Sequence, residues 1–86
     1  MPTIAQFYGI TVRMYYNDHN PPHFHAYYGG KSAIIEMRRL EFIAGDLPDH
    51  AHRLVLEWAK FHQVGLRENW RRCKEHRPLI KLPSLE

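Results

Sequence analysis

Apolar and polar residues alternate along the first half of the chain and take up a helical spacing in the second. From Ile10 to Tyr16, the residues Ile10, Val12, Met14 and Tyr16 fall on one side and Thr11, Arg13 and Tyr15 on the other. This is the period-two signature of a strand with one buried face. Asn17 to Pro22 is turn chemistry: Asx side chains that bond their own backbone, then two prolines that cannot donate to a ladder. Alternation resumes at His23, with Phe24, Ala26 and Tyr28 on one side and His23, His25 and Tyr27 on the other. Gly29-Gly30 is a two-residue hairpin signal, and Lys31 to Met37 returns antiparallel. A turn of that length sets the register. It places Tyr28 opposite Lys31, Tyr27 opposite Ser32, Ala26 opposite Ala33, His25 opposite Ile34, Phe24 opposite Ile35 and His23 opposite Glu36. Met37 to Leu40 turns the chain into a short fourth strand, Glu41 to Ala44.

The spacing then changes. Asp46 is a candidate cap, Pro48 suits a first helical turn and Asp49 complements the helix dipole. Leu47, Ala51, Leu54, Trp58 and His62 form one stripe. Leu66, Trp70 and Cys73 form a second, offset stripe, so the helix bends near Gly65 or a new one starts there. Pro78 ends it. The pattern predicts an α+β fold in a single domain, residues 1–86. An antiparallel meander sheet of three to four strands occupies about 10–44. A long or broken C-terminal helix, about 47–76, packs on one face, and 78–86 is a tail.

That sheet leaves one face uncovered, carrying Arg13, Tyr15, His23, His25, Tyr27 and Glu36. His23 and His25 are alternate residues on a strand and point the same way. Two imidazoles so placed can share a metal ion with bonds of about 2.0–2.1 Å. Glu36 across the strand pair, or Asp18 or His19 in the bend, completes such a site, and zinc or another divalent transition metal suits these ligands. The exclusive alternative uses no metal: His23 or His25 acts as acid or base, Glu36 orients it, and Arg13, Tyr15, Asp18, His19 and Tyr27 bind. On that reading no cofactor is expected. A third reading packs the histidines with Tyr15 and Tyr27 in a sheet face or dimer interface. The diproline stiffens the bend and can hold Asp18 and His19 over the histidine face.

Composition narrows the classes. The chain has 86 residues, a 44% hydrophobic share, one cysteine and a net charge of +3. One cysteine, Cys73, excludes an internal disulfide framework. No apolar run reaches the roughly 18 residues of a membrane span, and the first residues lack a signal-peptide pattern, so a cytoplasmic protein with no membrane partner is expected. Arg67, Arg71, Arg72, Lys74, Arg77 and Lys81 crowd the last third. They read as a solvated helix face or as a phosphate- or partner-binding surface, and Trp70 beside Arg71 and Arg72 suits a contact surface. No glycine-rich phosphate loop, nucleophile elbow or zinc-finger spacing is present.

The segments MPTI (1–4), FYGI (7–10), YYNDHNPPHFHA (15–26), GDLP (45–48), LEW (56–58) and ENW (68–70) resemble the small bacterial family known as domain of unknown function 4160, over almost the whole chain. The family's motif positions are Asp18, His19, Pro22, His23 and His25, all kept. The resemblance carries no catalytic assignment. It implies a component of a toxin–antitoxin-type gene pair, with a small partner protein encoded by a neighbouring gene. Joined to the histidine-bearing face, it leads to an expectation of action on or near RNA. The enzyme on that reading is a small metal-independent endoribonuclease in which Arg13 contacts phosphate and the 2′-OH attacks in line. A non-enzymatic interaction module, binding a partner or itself as a homodimer, and a histidine-rich metal-binding domain are the alternatives.

Overall fold

The computed structural model describes residues 3–85; Met1-Pro2 and the last residue of the tail, Glu86, lie outside them. The fold is α+β. Five antiparallel strands run in chain order across one sheet: β1 (Thr3–Phe7), β2 (Ile10–Arg13), β3 (His23–Tyr28), β4 (Lys31–Glu36) and β5 (Glu41–Gly45). Two helices follow, α1 (Asp49–Phe61) and α2 (Gln63–Lys74). No helix among the described residues is long and apolar enough to cross a membrane.

The β3–β4 hairpin pairs Tyr28 with Lys31 and His23 with Glu36, and every pair between them matches the register set by the glycine turn. The sheet has five strands rather than three to four because β1 does not alternate. Its register with β2 shifts between Thr3 and Ala5, and Ile4 and Ala5 are both buried. A bulge of this kind places two consecutive side chains inward and erases the period of two. The β1–β2 turn is also disguised. Tyr8 and Gly9 both have positive φ, 49° and 79°, as a primed hairpin turn requires, but a tyrosine is an unusual first residue for one. At the other end β2 stops at Arg13, short of Tyr16. Tyr16 instead leaves the sheet and donates its hydroxyl to the Arg77 carbonyl at 2.8 Å.

The helical region also departs from its pattern. The break falls at His62, with φ −121°, which closes α1 and opens α2. Gly65 lies within α2, where it seats the tail: a Cβ there would meet Leu82 Cδ2 at 2.7 Å. The inward stripe of α1 is Ala51, Val55, Trp58 and Ala59, so Val55 and Ala59 take the places expected for Leu54 and His62. Asp46 does not cap α1, which has no side-chain cap. Its Oδ1 accepts from the Leu47 amide at 2.8 Å and lies 3.1 Å from His52 Nδ1.

The core lies between the helices and one sheet face. Trp58 stacks on Phe7 at 5.4 Å and meets Phe24 edge-on at 6.0 Å. The tail returns across this layer. Leu82 donates its amide to Ile4, the Trp58 indole donates to Pro83, and the buried Asn69 side chain brackets Ile80 by accepting from its amide and donating to its carbonyl.

Candidate functional site

The helices leave the other sheet face uncovered, and β2 and β3 present it with Arg13, His23, His25 and Tyr27, each half-buried. Arg13 pairs with His25 and Thr11 with Tyr27 across the two strands. Tyr15, just beyond β2, brings its hydroxyl to 2.6 Å from that of Tyr27 and its ring edge-on to His25 at 4.7 Å. The Arg13 guanidinium lies over the Tyr27 ring at 5.1 Å and donates Nε–H to Thr3. Burial first, then the bond to Tyr15, pushes the Tyr27 phenol up to about 12, so it is a neutral hydroxyl at ordinary pH.

The stiff Asn17–Pro22 bend folds over this face and delivers Asp18 to it. Oδ2 of Asp18 lies 3.1 Å from His23 Nε2 and 3.2 Å from His25 Nε2. The ligand atoms of Asp18, His23 and His25 all lie within 4.8 Å of one another, and this is the one such group among the described residues. The side chains keep 28%, 11% and 18% of their exposure respectively, so the cluster is sheltered but reachable from solvent. Pro21 contributes its carbonyl, 2.8 Å from His23 Nδ1. A carbonyl only accepts, so Nδ1 of His23 carries the hydrogen. A neutral His23 then points the lone pair of Nε2 at a carboxylate oxygen, an arrangement that calls for a positive species between them or a proton on the imidazole.

Glu36 stands opposite His23, as the register requires, but its carboxylate turns away from the cluster. Its two oxygens accept from the backbone amides of Arg38 and Arg39, at 3.0 and 2.7 Å. The third member of the cluster is therefore Asp18, one of the alternatives legible in the bend. His19 is exposed and outside the group. Two residues that pattern reasoning did not assign to the site close one side of it. Trp70 lies 5.3 Å from the His23 ring, and Lys74 sits over Trp70 at 4.9 Å while its ammonium donates to the Asp18 carbonyl. Their spacing of four on α2 places them on one helix face, which is the signal that joins them; nothing in the sequence brings that face to the bend.

Comparison with curated proteins and with solved structures returned no match. The family model described as "Domain of unknown function (DUF4160)" matches residues 9–71, a stretch that holds β2 to β5, α1, most of α2 and all three members of the cluster. The chain therefore belongs to the DUF4160 family, a domain of unknown function.

Proposed function

We propose that the protein is a divalent transition-metal-binding domain whose ligands are Asp18, His23 and His25. The observation that carries this reading is the hydrogen bond from His23 Nδ1 to Pro21. Metal-bound histidines characteristically give their second ring N–H to a carbonyl or carboxylate, which orients the ring and frees the other nitrogen as a ligand. A tetrahedral ion with bonds of about 2.0–2.1 Å holds its donors roughly 3.3 Å apart. Two of the three donor pairs, those from Asp18 to each imidazole, stand 3.1 and 3.2 Å apart, and all three lie within 4.8 Å. Two imidazoles and one carboxylate suit zinc or another divalent ion of the first transition row, and three protein ligands leave a position for water or substrate. Metal content of untagged protein, by mass spectrometry after chelation and reloading with zinc, tests this. About one equivalent is expected. Asp18→Asn and His23→Ala should weaken binding by more than the roughly 10- to 100-fold that an outer-shell change costs. Glu36→Gln should leave it unchanged. Zinc binding that is absent, or insensitive to Asp18 and His23, defeats the reading.

A second reading draws on the same oxygen. With His23 protonated, Asp18 Oδ2 accepts from both imidazoles and takes the orienting role expected of Glu36. The cluster then does acid–base work on RNA, with Arg13 as a phosphate contact and Tyr27 as a neutral hydroxyl donor. In this reading the chain is one half of a toxin–antitoxin-type pair. RNA cleavage that persists in chelator and is lost in His25→Ala supports it; cleavage that requires added metal returns the site to the first reading.

A further inference from the structure

A groove of about 420 Å³ opens beside the cluster, between the β4–β5 turn and α2. Its floor is Pro22, Met37 and Trp70, and its rim carries Arg38, Arg67 and Arg71. Among the described residues no carboxylate lines it. Arg71 is held by Glu68, but Arg38 and Arg67 form no ion pair among the described residues and are exposed. The volume lies within the roughly 300–1,000 Å³ of ligand sites. An apolar floor that includes an indole, rimmed by guanidinium groups, matches a planar base joined to a phosphate: the base lies on the floor and the phosphate takes the forked donors of arginine. Two floor residues adjoin the cluster. Pro22 precedes His23 in the chain, and the Trp70 ring stands 5.3 Å from that of His23.

We propose that this groove binds one nucleotide of single-stranded RNA, base on Pro22, Met37 and Trp70 and phosphate on Arg38 and Arg67, so that the adjoining nucleotide reaches the Asp18–His23–His25 cluster. A strand fits better than a free nucleotide because cations continue past the groove: Lys74 stands over Trp70, and Arg13 lies beyond His25. The inference deepens the RNA reading of the cluster and rests on it for the substrate class, while the groove itself uses none of the cluster's side chains.

The test is fluorescence anisotropy with an end-labelled single-stranded RNA hexamer of mixed sequence at low and moderate salt. Arg38→Glu combined with Arg67→Glu should weaken binding at least tenfold. Lys31→Glu combined with Arg53→Glu, two exposed cations outside the groove that make the same change in net charge, is the control for charge alone and should change it less than twofold after correction for salt. Cleavage of the same hexamer by the unsubstituted protein is followed in parallel: binding without cleavage defeats the RNA chemistry of the cluster and leaves the groove in place, so the two failures are separate outcomes. Thermal unfolding monitored by circular dichroism verifies that the groove variants are folded. No hexamer binding at low salt, equal losses in the groove and control variants, or equally tight binding of an Asp/Glu-rich peptide would each overturn the proposal.

Discussion

Burial can quiet a nucleophile, and Cys73 is the side chain it acts on here. It is buried at 2% exposure in the layer between α2 and the sheet. Burial pushes its thiol up from the ordinary value of 9.0, with the charge of Asp18 adding to the effect. The thiolate is the reactive form, and each unit of upward displacement removes about tenfold of it at a given pH. The folded-state value exceeds the unfolded one, so this group's contribution to stability is present below about pH 9 and is lost as pH rises through the folded value. Alkylation of Cys73 by iodoacetamide at pH 8 should therefore run more slowly in the native protein than in urea, with the time course read by mass spectrometry. A native rate equal to the unfolded rate would show the thiol to be exposed. Asp18 has the opposite character: its oxygen faces two imidazoles, and its main-chain carbonyl holds Lys74, so one residue ties the bend to both β3 and α2.

At the scale of an element, the β4–β5 turn depends on a residue that looked catalytic. Glu36 is 8% exposed and spends both oxygens on the amides of Arg38 and Arg39. Its place opposite His23 followed from the hairpin register; the direction of its carboxylate did not, because the turn amides offer two charge-assisted bonds on the spot. Glu36→Ala should lower stability by about 1–3 kcal/mol in urea unfolding, the loss of two bonds to a charged acceptor at a partly solvated turn. Metal affinity should stay as it is. The turn also ends in a bulge, where Ile34 faces Ala44 and Ile35 faces Phe42. Ile43 is the extra residue and is left 49% exposed, which is why β5 does not show clean alternation.

The whole molecule is closed by its tail, and the closing side chain is Asn69. It is fully buried and forms two 2.8 Å bonds with the backbone of Ile80. The tail in turn accepts the Trp58 indole at Pro83 and donates to β1 at Leu82. Asn69→Ala removes both bonds to Ile80 and should cost about 1–3 kcal/mol, two bonds at roughly 0.5–1.5 each. Release of the tail should make Lys81 a preferred tryptic site, read by limited proteolysis of the folded protein. If Asn69→Ala melts like wild type and resists trypsin, the tail is held by Leu79, Leu82 and Leu85 against the core instead.

What could be read along the chain was local. Period-two alternation and a two-residue glycine turn act between near neighbours, so the β3–β4 hairpin, its register and the two histidines on one face were determined by the sequence alone. The Asp18 bend was legible as a stiff loop able to reach that face. Tertiary structure decided the rest, because those choices depend on atoms distant in sequence. Packing set the break at His62 and turned Gly65 into a seat for Leu82. A bulge in β1 hid a strand whose partner was otherwise legible. Competition from two turn amides removed Glu36 from the cluster, and the bend delivered Asp18 in its place. Only the docking of α2 against the β4–β5 turn joined Arg38 to Arg67 and Trp70, residues about 30 positions apart, in one groove beside the histidines.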